Sequence, residues 1–321
     1  MALTETLHRL FEIGQHPLSF TGSATRQDEG FAIETLTFAT ADGEKVRGIL
    51  TRPSAVPVPP PPTPPHKGEG DVVANAQTRD RPLPAILYIH AHGDRYDIGA
   101  SELLDGRPAL QSPLGPVFAR AGYVTLAIDL PCFGERSASK EQATAKALLW
   151  RGRSLAGKML RELSSALDYL AARPDVDPAR IGVFGISMGA TFGYWLAAVE
   201  PQLACVMHLC CFADFGKLIE TGAHDRHGIY LTIPGLLEVA GNGEIAGLIA
   251  PRPQLVCIGD RDPLTPPHAF EPAFAQLSAA YDKAGALEKL MLHREAETGH
   301  QESAEMRERV LSFAATHLQR C

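Results

Sequence analysis

Gly185-Ile186-Ser187-Met188-Gly189 sets a serine between two glycines, each two positions away. The pentad closes one apolar run, RIGVFG, and opens another, MGATFGYWLAA. A strand, a sharp turn and a helix make the setting in which a G-x-S-x-G serine stands exposed on a strained turn. The flanking glycines lack side chains, so strand and helix do not collide. Beside a helix N-terminus the hydroxyl also meets free backbone amides, which suit a negative charge developing on a substrate oxygen. The chemistry expected of Ser187 is nucleophilic attack. The bland counter-reading is a glycine-rich turn with a capping serine.

A serine hydroxyl is a weak nucleophile at neutral pH and needs a base, which a third group must orient. The orienting acid is expected in QLVCIGDRDPLTPP, where an apolar strand ends at Gly259 and the chain turns at Pro263. Asp262 is favoured, because it stands in the turn beyond the strand. Asp260 remains the alternative, or could bond the turn's amides. The base is expected to be His300, in the polar segment ETGHQE, 38 residues after Asp262. His293 lies in a strand-like run and His317 on the last helix, so neither is favoured. A histidine is partly neutral near pH 7, and activity should fall below about pH 6 as it protonates.

An oxyanion needs two backbone N–H donors. One is expected from Met188 and the other from the loop IHAHGDRYDIG, at Asp94 or else Gly93, after the His92-Gly93 pair. His90 and His92 form an H-x-H pair, but no third ligand stands at a typical spacing, so no metal is expected.

The elements that must position these groups follow from apolar patterning. FAIETLTFAT and KVRGILTRP read as strands joined by a turn at Asp42-Gly43. Eight prolines between Pro53 and Pro65 cannot join a sheet or helix, so about 54–82 reads as a disordered insertion. From Pro84 on, short apolar strands alternate with helical stretches: PAILYIHAH, YVTLAIDLP, a long helical region from about Lys140 to Arg173, RIGVFGI, LACVMHLC, QLVCIG and EKLMLHRE, with a final helix. Such alternation predicts a mostly parallel sheet with helices on both faces and antiparallel strands at its N-terminal edge. Catalytic groups should then gather beyond the strands' carboxyl ends. Residues 1–30 read as a helical extension and 31–321 as one catalytic domain.

The net charge of −7 comes with no basic cluster, which argues against nucleic acid. No run reaches the length of a membrane span. The six cysteines show no C-x-x-C spacing and sit mostly in apolar runs, so a reducing cytoplasm is the expected compartment. A homodimer is compatible with the sequence.

Together HAHGDRYDIG, DLPCFGER, RIGVFGISMGA, APRPQLVCIGDRDPLTPP and TGHQE resemble the α/β-hydrolase superfamily. Within it they are similar to bacterial dienelactone hydrolase-like and acetyl-xylan-esterase-like enzymes. The resemblance implies the α/β-hydrolase fold, a Ser187–His300–Asp262 triad, no cofactor, and a small-molecule ester substrate such as an acetyl ester or lactone. The chain departs from dienelactone hydrolases proper, which carry Cys in the elbow where Ser187 stands. The resemblance also implies that the segment 212–250 overhangs the site, making His224, His227 and Tyr230 candidates for the pocket. His92, Tyr96, Cys132 and Phe133 are further candidates. A peptidase or amidase, an acyltransferase, or a non-catalytic binding protein of the same fold are the rival readings.

Overall fold

The computed structural model describes residues 3–54 and 81–319. The expected Pro-rich insertion at 54–82 lies, but for its ends, outside the described residues. The strands are β1 (Ser19–Asp28), β2 (Phe31–Ala39), β3 (Lys45–Pro53), β4 (Leu83–Ile89), β5 (Val124–Ile128), β6 (Val176–Ile186), β7 (Cys205–Leu209), β8 (Gln254–Gly259) and β9 (Leu290–Glu295). They form one sheet in the order β1-β2-β3-β5-β4-β6-β7-β8-β9. β1, β2, β3 and β5 pair antiparallel in succession, and every pairing from β5 through β4 to β9 is parallel. This is the expected architecture, antiparallel edge included.

The helices are α1 (Leu3–Leu10), α2 (Glu102–Asp105), α3 (Leu114–Arg120), α4 (Glu141–Leu149), α5 (Leu155–Ala171), α6 (Met188–Val199), α7 (Phe215–Thr221), α8 (Asn242–Gly247), α9 (Pro267–Lys283) and α10 (Ala304–Leu318). Side chains alternate across a strand, so each strand feeds two cores. From β4, Ala85, Leu87 and Ile89 join the core beneath α1, α4, α5, α6, α8 and α9. Ile86 and Tyr88 point the other way, into the core under α3 and α10. β4, burying both faces, is apolar throughout for this reason. No helix among the described residues is long and apolar enough to cross a membrane.

Two expectations need correction. Among the described residues before Phe31, Leu3–Leu10 are helical, while Ser19–Asp28 runs antiparallel to β2 as an edge strand. Backbone pairing with β2 holds this mostly polar stretch, with Phe20 packed on Phe38 and Tyr169. The long helical region splits into α4 and α5. Gly152 adopts φ +70° between them, and the Ser154 hydroxyl accepts the Gly157 amide to start the second helix.

Candidate active site

The carboxyl ends of β5, β4, β6, β7, β8 and β9 open on one rim of the sheet, and the loops leaving them carry the candidate groups. Ser187 follows β6 with φ +59° and ψ −122°, a conformation held by what surrounds it. The flanking glycines explain how the turn fits. A Cβ on Gly185 would lie 2.1 Å from the Gly189 carbonyl oxygen, and one on Gly189 2.0 Å from that of Ile89. The Ser187 amide donates to the Leu209 carbonyl at 2.9 Å, tying the turn to β7.

Ser187, His300 and Asp262 meet. The Ser187 hydroxyl donates to His300 Nε2 at 2.8 Å, and His300 Nδ1 donates to Asp262 Oδ2 at 2.7 Å. Asp262 is buried, and its other oxygen accepts the Leu264 amide at 2.8 Å, which aims the carboxylate. Of the two acids in this loop, Asp260 faces away: its Oδ1 takes Arg294 Nε at 2.5 Å instead of the turn's amides. The imidazole of His300 keeps 23% side-chain exposure, enough for a substrate to reach it. His293 sits on β9 against Glu295, and His317 packs on Phe313.

Met188 opens α6, so its amide lies at the helix N-terminus beside Ser187. In the loop after β4, Gly93 and Asp94 both adopt positive φ, +52° and +54°. The Asp94 amide, expected as the second oxyanion donor, instead donates to His92 Nδ1 at 3.1 Å, which leaves Gly93 as the candidate. The Arg107 guanidinium, paired with Glu102, donates to the Ala91 carbonyl at 2.9 Å and anchors the start of this loop.

The pocket candidates divide. His92 stacks on the buried Tyr230 with ring centroids 4.6 Å apart, and Tyr96 and Phe133 pack edge-on against it. Cys132, also buried, has φ +75°, and burial pushes its thiol up, away from a reactive thiolate. His227 donates to the Leu264 carbonyl at 3.0 Å, beside the Asp262 turn, and burial lowers its pKa, leaving it neutral. His224 is exposed on the rim of a cavity of about 400 Å³, lined also by Phe215, Leu218, Ile229 and Leu236. His227 lines the same cavity, and its amide donates to the His224 carbonyl at 3.0 Å.

Sequence reasoning missed Glu141. Its Oε2 meets His92 Nε2 at 2.8 Å across 49 residues of chain, and no motif marks it. The H-x-H pair does not present itself as a metal site. His90 donates from Nδ1 to the Ala91 carbonyl and accepts the Leu130 amide at Nε2, so both nitrogens are engaged. Among the described residues, one group with metal-ligand spacing comes together, His293, Glu295 and Glu305. Glu295 there already accepts from Ser303 and Thr298.

The model of the dienelactone hydrolase family matches residues 114–210. That span contains Ser187 but neither Asp262 nor His300. A Bacillus subtilis (strain 168) protein named "Putative hydrolase YtaP" is 39% identical over 233 residues, covering 72% of this chain and 78% of that one. Among solved structures, the acetyl xylan esterase from Paenibacillus sp. R4 superposes with TM-score 0.68 at 17% identity, covering 98% of this chain and 93% of the other. The glucuronoyl esterase from Solibacter usitatus gives TM-score 0.64 at 15% identity, with 98% and 92% covered.

Proposed function

The chain belongs to the dienelactone hydrolase family of α/β-hydrolases, and from that premise we propose that it cleaves a small-molecule carboxylic ester through an acyl-enzyme on Ser187. The observation that carries the reading is the continuous pair of hydrogen bonds from Ser187 through His300 to Asp262, at 2.8 and 2.7 Å. Asp262 fixes the proton on Nδ1, which leaves the Nε2 lone pair facing the serine hydroxyl.

In the proposed reaction Ser187 Oγ attacks the ester carbonyl carbon while its proton passes to His300 Nε2. The resulting imidazolium is stabilised by the Asp262 carboxylate. The carbonyl oxygen, now negative, is held by the Met188 amide and, since the Asp94 amide is engaged by His92, by the Gly93 amide. The tetrahedral intermediate collapses, the C–O bond to the alcohol breaks, and His300 returns the proton to the leaving oxygen. Water, deprotonated by the same nitrogen, then attacks the acyl-enzyme and frees the acid and Ser187. The names of the structural neighbours, acetyl xylan and glucuronoyl esterases, favour an ester of a sugar as the first substrates to try.

Hydrolysis of acetylated sugars and short p-nitrophenyl esters tests this directly. Ser187→Ala should lower kcat by about 10⁶-fold, the loss expected when a triad acts as a unit. Wild-type protein should also react with a fluorophosphonate at Ser187. Undiminished ester turnover by the alanine variant would overturn the assignment.

A further inference from the structure

His92 makes two hydrogen bonds that the reaction as written does not use. Its Nδ1 accepts the Asp94 amide at 3.1 Å, and its Nε2 faces Glu141 Oε2 at 2.8 Å. A neutral imidazole has one N–H and one lone pair, an amide N–H only donates, and a carboxylate only accepts. Both partners therefore demand the same tautomer, with the lone pair on Nδ1 and the proton on Nε2. His92 and Glu141 are 7% and 6% exposed, so water competes little for either bond. Glu141 lies in the first turn of α4, where the free amides of the helix favour a negative charge. Tyr230, Tyr96 and Phe133 pack around the ring.

The Asp94 bond closes a turn that the backbone alone disfavours. Gly93 adopts positive φ freely, but Asp94 follows it at +54°, which a residue with a Cβ seldom does. An imidazole nitrogen accepting from the amide two residues on closes the turn as an Asx side chain would. Glu141, by keeping the proton on the far nitrogen, keeps that acceptor available.

We propose that His92, fixed in its Nε2–H tautomer by Glu141, is a positioning residue that holds the Gly93–Asp94 turn and with it the second oxyanion donor. The inference rests on the ester-hydrolase reading for its kinetic consequence, though the tautomer does not. His92 itself touches no reacting atom. Its effect reaches the reaction through the shape of the turn, so it should appear in kcat and not in substrate binding.

Three variants of the full-length protein separate this from a packing role. His92→Phe keeps a ring against Tyr230 and removes both hydrogen bonds. His92→Asn places Oδ1 where Nδ1 stood and can accept the Asp94 amide again. Glu141→Leu leaves the imidazole but removes the acceptor facing its Nε2. With a short p-nitrophenyl ester, the phenylalanine variant should lose about 100-fold in kcat, the scale of one oxyanion donor. Its KM should stay within about threefold, as for an interaction made only in the transition state. His92→Asn should recover at least about tenfold of that loss. Nitrogen-15 NMR of wild-type protein should find the His92 proton on Nε2, and Glu141→Leu, which removes the acceptor, should move population to Nδ1. Unchanged kcat in His92→Phe, equal loss in the Phe and Asn variants, or a wild-type proton on Nδ1 would each overturn the proposal. If wild-type protein hydrolyses no ester, the functional reading fails by itself, while the NMR result still decides the tautomer.

Discussion

Asp260 and Asp262 are chemically identical and share one loop, yet their carboxylates do different work. Asp262 is buried against His300 and the Leu264 amide, while Asp260 pairs with Arg294 in a partly exposed bridge. Asn at position 262 can turn its amide toward Nδ1 and so place the imidazole proton on Nε2, against Ser187. Asp262→Asn is therefore expected to lower kcat by about 10⁴-fold on a short ester. Asp260→Asn should stay within about fivefold of wild type, because a partly exposed ion pair contributes about 1 kcal/mol or less. The reverse ranking in steady-state kinetics would exchange the two roles.

At the scale of elements, the contact between α6 and the sheet depends on Gly185 and Gly189. The atoms that a Cβ at either position would strike are backbone atoms, at 2.1 and 2.0 Å, and backbone cannot rotate aside. Gly189→Ala must push α6 away from the end of β4 and displace Ser187 with it. The expected cost is about 3 kcal/mol, the upper part of the range for overpacking. Gly193, one turn further along α6, is the control: a Cβ there would meet only Val183 Cγ2, at 3.7 Å. Gly193→Ala should stabilise by about 0.5–1 kcal/mol through helix propensity. Urea denaturation measures both, and fluorophosphonate labelling should slow only for the position 189 variant.

Across the whole molecule, two buried histidines make stability depend on pH. Burial lowers His208 to about 3 and His90 to about 4, from the ordinary value near 6.5. Between those values and 6.5 the unfolded chain binds more protons than the folded one, so stability rises with pH. The stabilisation is complete above about pH 6.5 and is lost as pH falls toward 3. His208 lies on β7 between the two halves of the parallel sheet, with Gln254 donating to its Nε2 at 2.9 Å. Its Nδ1 is buried and finds no partner among the described residues. His208→Met removes the unpartnered Nδ1 but strips buried Gln254 Nε2 of its acceptor, so stability at pH 7 should change by no more than about 2 kcal/mol. It should also flatten the fall in urea midpoint between pH 6.5 and 4. An unchanged acid slope would mean that His208 does not titrate on unfolding in that window.

Ser187, its two glycines and the strand–turn–helix around them were legible in the sequence because the constraint is local: residues within one turn of chain must avoid each other. The parallel sheet was legible for a similar reason, since burial on both faces leaves continuous apolar runs such as PAILYI. β1 was not, because a polar edge strand is held by pairing with β2 and carries no apolar alternation. The same distinction runs through the site. Spacing narrowed the acid to Asp260 or Asp262 and the second oxyanion donor to Gly93 or Asp94. Only the tertiary structure decided which carboxylate faces His300, and that the Asp94 amide is engaged by His92. Glu141 could be found in no other way, because a hydrogen bond depends on where two side chains end in space and leaves no spacing between them to read.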